Sequence, residues 1–391
     1  MAEAVTLAHV ARPAVLAASL DATRYDVIFA AANRYSSLLS NLAVPIRHIN
    51  SIPQEQFLHA LASGQPLHSA SSLRSYVQDD LAILQELRPD VVVGDLRHSL
   101  SISARVIGIP YISIVNAYWS PYARQRFCVP DIPLTHVFGV PVANALFQCA
   151  RPIAFALHCA PMNRVRKEHG LSPIGWDIRK MYTDADWVLY PDVPELAPTE
   201  AAPSTHRYIG PLLWTPSLEL PDWWRSLPTD KPIVYITLGS SGSPKLLSVC
   251  LDALQDQPVT LIVGSVRADL KAVPPNAWVA DFLPGLEAAR RASVVICNGG
   301  SPTSHQALAA GTPVVGLPSN MDQHLNMTYL ADSGAGITLR SEHVDTQSVQ
   351  DCVRRAQEPS YKVSASRIRD SFTNYEAGAR FRSILNEAVK L

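Results

Sequence analysis

Between Pro89 and Asn116 the chain reads "PDVVVGDLRHSLSISARVIGIPYISIVN". An apolar run, "DVVVGD", precedes a helical pattern, "SLSISARVIG", and a second apolar run, "YISIVN", follows. Short β-branched runs of this kind are strands buried on both faces, and a helix between two of them makes a parallel pair. The same alternation starts earlier. "YDVIFAA" (Tyr25 to Ala31) and "IRHIN" read as strands, and "HSASSLRSYVQDDLAILQELRP" (His68 to Pro89) as a long amphipathic helix stopped by its proline. It resumes after Pro232, where "IVYITLGSSG", "VTLIVG", "AWVADF", "SVVICNGG", "PVVGLP" and "GITL" are strands separated mostly by helical stretches. From Tyr190 to Pro232 proline is dense, as in a linker. The pattern predicts two successive doubly wound α/β domains. A chain of 391 residues is also too long for one ordinary core.

The start of the chain fits less easily. Only eight residues precede His9, which is placed in a loop before the first helix, with Pro13 in that helix's first turn. Either the first strand is very short or the start is truncated relative to its relatives.

Composition excludes some classes. Thirty-three Lys and Arg against 34 Asp and Glu give a net charge of −1, so there is no electrostatic case for nucleic acid. The six cysteines form no CxxC or Cys/His zinc pattern and read as reduced thiols of a cytoplasmic protein. "MAEAVTLAHVARP" lacks the basic and apolar regions of a signal peptide. No run reaches the roughly 18 apolar residues of a membrane span. "VFGVPVANALFQCARPIAFALHCAP" comes nearest, but Pro141, Arg151, Pro152 and His158 interrupt it. It is expected to be a buried or membrane-touching helical pair, which leaves room for peripheral membrane contact but for no transmembrane segment.

Candidate chemistry gathers at strand ends. In "SVVICNGGSPTSHQALAAGTPVVGLP", Gly299 and Gly300 allow a tight turn, Ser301 suits an N-cap, Pro302 suits the first helical position, and Gly311 falls at C′. A helix over 302–310 would aim its N-terminus at the C-terminal edge of the sheet, where phosphate binds well. The alternative reading is an ordinary strand–turn–helix connection. Two features weigh against it. "TLGSSG" repeats the device at the domain's first strand, and "SNMDQHLNM" brings Asp322, Gln323 and Asn326 to the same edge, where a carboxylate and an amide suit paired sugar hydroxyls. His9 and Asp95 each fall at a strand edge of the first domain, and such a pair can act as a general base. "NAYWSPYARQRF" (Asn116 to Phe127) is either the wall of an apolar acceptor pocket or interdomain packing. Arg12 and Arg97 are either ion-pair partners or contacts for an anionic acceptor. "TDAD" (Thr183 to Asp186) is not read as a metal motif, because it leads into the strand "WVLYP" with no second acidic cluster.

The tandem "TLGSS", "DFLPG", "NGGSPTSHQ", "LPSNMDQ" resembles the nucleotide-sugar domain of GT-B glycosyltransferases that use UDP- or dTDP-sugars on natural products and lipids. Bacterial macrolide glycosyltransferases are of this kind, and the likeness runs along the whole chain. It implies two Rossmann-like domains facing across a cleft. The first spans 1–200, the linker 201–232 and the nucleotide-sugar domain 233–365, with a C-terminal helix at 366–391 returning to the first domain. It implies that Phe282 stacks the base. Ser241 would hold the diphosphate with Gly299, Gly300 and Ser301, in a donor site that also includes Gly239, Ser240, Asn298 and Gln306. Asp322 and Gln323 would hold the sugar. His9 becomes the base that deprotonates the acceptor and Asp95 its partner, while Asn116, Trp119 and Tyr122 contact the acceptor. The implied enzyme is an inverting, metal-independent glycosyltransferase whose only co-substrate is a nucleotide sugar, UDP-sugar being favoured, and whose acceptor is small, hydroxylated and largely apolar. Two positions depart from the family: its diphosphate-contacting His is Asn298 and its ribose-binding Glu is Gln306. They motivate a second reading, a non-catalytic auxiliary or ligand-binding relative. A third, a nucleotide-sugar epimerase, would need an acid and base around the donor sugar that the donor loop does not show.

Overall fold

The structure is a computed structural model that describes residues 1–215, 219–239, 243–265 and 273–390. The chain divides into two compact units. One comprises Met1–Gln125, Asn144–Leu212 and Tyr375–Leu391, the other Arg126–Ala143 and Leu213–Asn374.

The first unit is built from α1 (Leu7–Ala18), β1 (Phe29–Ala31), β2 (Ile46–His48), α2 (Gln54–Ser63), α3 (Ala70–Leu87), β3 (Val92–Asp95), α4 (Leu100–Ile107), β4 (Tyr111–Ile114), the part of α5 (Pro133–Glu168) from residue 144 onward, α6 (Ile178–Tyr182), β5 (Trp187–Tyr190) and β6 (His206–Tyr208). The strands β3-β4-β5-β6 form a parallel sheet, and β1 and β2 a parallel pair. Residues 1–3 join them. The Ala2 N–H donates to the Ala30 carbonyl at 2.8 Å, the Asp95 N–H to the Met1 carbonyl at 3.2 Å, and the Glu3 N–H to the Asp95 carbonyl at 3.1 Å. The expected first strand is therefore only a bridge. The helix follows at once, so His9 is the third residue of α1 rather than a loop residue. Pro13 is correspondingly inside the helix, not in its first turn, and offers no N–H to the His9 carbonyl.

α3 starts where sequence places it, with the Ser69 hydroxyl accepting from the Ser72 N–H at 3.1 Å. α5 runs two helices together across a kink at Gly139 (φ +74°), so the segment is a helical pair, and by length and composition it is long and apolar enough to cross a membrane, where no such span was expected. Several of its apolar side chains are not buried: Phe138, Val142, Leu146, Ile153 and Leu157 are all exposed.

The second unit carries β7 (Ile233–Thr237), α7 (Pro244–Leu254), β8 (Thr260–Gly264), β9 (Ala277–Ala280), α8 (Gly285–Arg291), β10 (Val294–Cys297), α9 (Ser301–Ala309), β11 (Val314–Gly316), α10 (Met321–Asp332), β12 (Gly336–Thr338), α11 (Thr346–Ala356) and α12 (Pro359–Thr373). Its six strands are parallel in the order β12-β11-β10-β7-β8-β9. Val234, Ile236, Leu261, Val263, Val294 and Ile296 fill its core. Segment 126–143 belongs here despite its place in the chain. The Asp131 N–H donates to the Ser319 carbonyl at 2.8 Å, and the Ser341 hydroxyl donates to the Asp131 carboxylate at 2.7 Å. The closing helix α13 (Ala377–Ala388) packs Phe381, Ile384 and Leu385 into the first unit's core with Leu16, Ile112 and Leu189. The return begins at Tyr375, later than the expected 366.

Candidate functional site

In the first unit the chemistry sits at the end of β3. Asp95 is fully buried, and the chain turns away from it through Leu96, a non-glycine residue at φ +55°. Such backbone costs energy and is concentrated at functional sites. His9 Nδ1 lies 2.7 Å from Asp95 Oδ1. Arg12, one helical turn on, grips the same carboxylate twice: Nε donates to Oδ2 at 2.8 Å and Nη2 to Oδ1 at 2.6 Å. Arg12 Nη1 donates to Asn116 Oδ1, and Asn116 Nδ2 donates to the Tyr118 hydroxyl at 2.5 Å. Burial pushes the Asp95 carboxyl up, but the charges of Arg12 and His9 outweigh it and hold the group below the usual range. The carboxylate is thus ionised and favours the His9 tautomer with its proton on Nδ1, an atom that Arg12 Nη2 also approaches at 3.0 Å. Nε2 is left with its lone pair, and the ring is about one-fifth exposed. A histidine held in this way can act as a general base.

The two arginines left open by sequence are both ion-paired. Arg12 is held by Asp95. Arg97 is fully buried and binds Asp80 at 2.9 and 3.0 Å, Glu3 at 3.0 Å and the Asn50 carbonyl at 2.5 Å, beneath the Tyr76 ring. Of the expected acceptor residues, Asn116 instead anchors Arg12. Trp119 is buried edge-on against Tyr182, ring centres 5.0 Å apart. Tyr122 packs edge-on against His206. Tyr182 lines a cavity with His68 and His98, two residues that sequence reasoning missed. No local signal marks them, because they reach the cavity from separate connections. The "TDAD" carboxylates are structural: Asp184 pairs with Arg105 and Arg166, and Asp186 accepts from the Tyr111 N–H.

In the second unit, β7 runs into Gly239 (φ +64°); Ser240 and Ser241 lie outside the described residues. β10 runs into Asn298-Gly299-Gly300. Asn298 Oδ1 accepts from the Gly300 N–H at 3.0 Å, an Asx turn that sets the loop. Asn326 Nδ2 braces the loop from below, donating to the Gly299 carbonyl at 2.7 Å and to the Ser304 hydroxyl at 2.9 Å. Gly299 (φ +81°) rides on Met327: a Cβ there would come within 2.8 Å of Met327 Cγ. α9 begins one residue earlier than expected. Gly300 is its N-cap and the buried Ser301 its first residue. Gly311 (φ +66°) ends it as expected.

The remaining residues expected at the donor site divide in two. Phe282, after β9, is 42% exposed. Gln306 Nε2 instead donates to the Trp214 carbonyl at 2.7 Å and ties that segment to α9. Gln323 closes a capping box: its N–H donates to Asn320 Oδ1 at 3.0 Å, and its Oε1 accepts from the Asn320 N–H at 3.4 Å and also from the Ser319 N–H at 2.9 Å. Only its amide nitrogen remains for a ligand. Asp322 lies in the first turn of α10, where the helix dipole favours a carboxylate. Among the described residues no three His, Cys, Asp or Glu side chains gather as a metal site.

Residues 249–377 match the family described as erythromycin biosynthesis protein CIII-like, C-terminal domain. The whole chain is 52% identical to a Mycobacterium tuberculosis (strain H37Ra) protein named PGL/p-HBAD biosynthesis glycosyltransferase, of which it covers 91%. The chain belongs to this glycosyltransferase family. It is also 52% identical, along its full length, to a PGL/p-HBAD biosynthesis rhamnosyltransferase of Mycobacterium bovis (strain BCG), covering 87% of that protein. The fold is GT-B. The spinosyn rhamnosyltransferase SpnG, solved with thymidine diphosphate, superposes with a TM-score of 0.69 over 96% of both chains, at 19% identity. Within the glycosyltransferase, Asn298 and Gln306, the two departures from the family motif, both have internal partners: one shapes the turn and the other anchors Trp214.

Proposed function

We propose that the enzyme transfers a sugar from a pyrimidine nucleoside diphosphate to a hydroxyl of a small, largely apolar acceptor, inverting the anomeric centre, with His9 as the base. The observation that carries this reading is the His9–Asp95–Arg12 arrangement: a buried, ionised carboxylate against Nδ1 leaves Nε2 as the proton acceptor. His9 Nε2 takes the hydroxyl proton as the acceptor oxygen bonds to the anomeric carbon. The bond from that carbon to the diphosphate oxygen breaks on the opposite face, and the nucleoside diphosphate leaves with the electron pair. The N-terminus of α9 offers N–H groups and its dipole to the departing charge, apart from Pro302, which has no N–H. Phe282 stacks on the base, and Asp322 with the Gln323 amide holds sugar hydroxyls. The relative named a rhamnosyltransferase makes rhamnose the first sugar to try.

The test is calorimetric titration of the protein and its Phe282→Ala and Asn298→Ala variants with UDP, dTDP and GDP. Mass detection of a glycosylated phenol then follows, using the sugar of whichever nucleotide binds. Saturable binding of one pyrimidine nucleotide, weakened in both variants, with a product of inverted anomeric configuration, supports the reading. No nucleotide binding at millimolar concentration overturns it.

A further inference from the structure

The part of α5 from residue 144 to 168 belongs to the first unit, and its two faces differ. Phe155, Cys159, Met162 and Val165 are buried. They recur at intervals of three and four, so they share one side of the helix. Polar contacts fasten the same segment to the body of the unit. Arg166 pairs with Asp184 at 2.5 Å, Asn163 Nδ2 donates to the Gly175 carbonyl at 2.7 Å, and His158 Nε2 lies 3.1 Å from the Gly64 carbonyl. The opposite side carries Leu146, Cys149, Ala150, Ile153 and Leu157, again at intervals of three and four, and every one of them is exposed. Leu146 is 50% exposed, Leu157 59% and Ile153 67%. All the exposed positions between 145 and 157 are apolar. A stripe of this kind on a surface helix normally faces a core, and left open to water it marks an interaction surface.

Charge and an exposed tryptophan indicate what covers it. Residues 144–168 contain Arg151, Arg164, Arg166 and Lys167 and a single acid, Glu168. With 3.6 residues per turn, Arg164 and Lys167 continue the line of Ile153 and Leu157, and both are exposed. Glu168 is taken up by Arg74, whose Nε and Nη2 each donate to it at 2.7 Å. Trp176 stands beside this end of the helix. It follows Gly175, the residue bonded to Asn163, and Asn163 Oδ1 also accepts from the Ile174 N–H at 2.9 Å. Trp176 is 60% exposed. Indole rings favour the boundary between lipid headgroups and acyl chains. An apolar stripe ending in cations, with a tryptophan alongside, has the chemistry of a helix lying in the surface of an anionic bilayer. It lies along that surface rather than through it, because its buried side and its ties to Asp184 and Gly175 hold it on the unit. A second copy packed stripe to stripe would offer Arg164 and Lys167 only Glu168, which Arg74 already holds.

We propose that this face of α5, with Trp176, docks the first unit on an anionic lipid bilayer. Leu146, Ile153 and Leu157 enter the acyl boundary, and Arg164 and Lys167 lie among the headgroup phosphates. Docking needs neither sugar donor nor acceptor, so it stands apart from the transfer reading.

The experiment mixes the intact protein, without substrates, with vesicles of phosphatidylcholine alone or with about one-third phosphatidylglycerol, and separates bound protein by flotation. Partition should favour the anionic vesicles by at least about tenfold and fall as salt rises. The triple variant Leu146→Gln/Ile153→Gln/Leu157→Gln changes only exposed positions, keeps every charge and suits a helix. It should lower partition about 10²-fold with the melting point of the parent. Lys167→Gln should lower partition about fivefold on the anionic vesicles and leave it unchanged on the neutral ones. Vesicles should shift tryptophan emission to the blue, and Trp176→Phe should remove most of that shift. Absence of partition into the anionic vesicles overturns the proposal, as does equal partition of the parent and the triple variant. A parent that is dimeric by light scattering with a monomeric triple variant overturns it too, assigning the stripe to a second copy. Equal partition into both kinds of vesicle overturns the role of Arg164 and Lys167.

Discussion

Replacing Asp95 with Asn tests the base and its support together. The carboxylate is fully buried and holds three charge-assisted contacts of 2.6 to 2.8 Å, two from Arg12 and one from His9. An amide can offer its oxygen to one of these neighbours and must turn its own N–H groups on the other. Breaking a buried ion pair by removing one partner costs about 3–5 kcal/mol. At the lower figure the melting point of a unit this size falls by about 6–12 °C. Arg12→Met should cost a similar amount, because it leaves Asp95 buried and opposed only by His9. The double variant Arg12→Met/Asp95→Asn removes both charges, so its cost should fall short of the sum of the singles by about 1–3 kcal/mol. Activity separates the two singles. Asp95→Asn loses the His9 tautomer and should drop kcat by about 10²–10⁴-fold, whereas Arg12→Met keeps the His9–Asp95 contact and should lose much less. Melting is followed by scanning fluorimetry, and kcat at a temperature where every variant is folded. Additive stabilities, or equal losses of kcat in the two singles, would refute the reasoning.

Three further outcomes follow from the same geometry. Gly316→Ala should destabilise the second unit by about 1–3 kcal/mol and weaken nucleotide binding, since its Cβ would come within 2.3 Å of Met327 Sδ and displace the residue beneath Gly299; melting and calorimetry check it. Gln306→Glu, although it restores the family residue, should lower the melting point without tightening nucleotide binding, because a carboxylate would face the Trp214 carbonyl that Gln306 now donates to at 2.7 Å. Three buried histidines and the half-buried His206 should make the fold acid-sensitive. Burial lowers His68 and His206 to about 4, and His98 and His324 to about 3, from the ordinary 6.5. The unfolded chain binds these protons first, so stability falls as pH drops from about 6.5 toward 4, and unfolding at pH 5 should take up several more protons than at pH 7, as measured by denaturation in a weakly buffered pH-stat.

Much of this was legible in the sequence because it rests on local periodicity. The strands around "DVVVGD" and "SVVIC", the Gly-Gly turn and the C-terminal Gly311 of α9 fall where β-branched runs and glycines put them. His9 and Asp95 could be nominated, and the structure brings them to 2.7 Å. What stayed hidden depends on long-range pairing. Nothing near Arg12 announces Asp95 as its partner, 83 positions away. Nothing in 126–143 announces that Asp131 bonds Ser319 and Ser341 and so joins the second unit. Local capping also competed with ligand chemistry. Asn320 and Gln323 stand at capping-box spacing, yet the pair Asp322-Gln323 drew attention only as a sugar contact. The place of Pro13 was misjudged for a related reason: with only a one-residue bridge before it, the helix starts sooner than an ordinary first strand allows.

The most direct test of the account is the turnover of His9→Ala with a phenolic acceptor and the nucleotide sugar identified by titration, measured beside nucleotide binding on the same preparation. The account predicts a fall in kcat of about 10²–10⁴-fold with nucleotide affinity unchanged, because His9 takes the acceptor proton and the donor turn lies in the other unit. A variant that turns over within about fivefold of the parent would contradict His9 as the base.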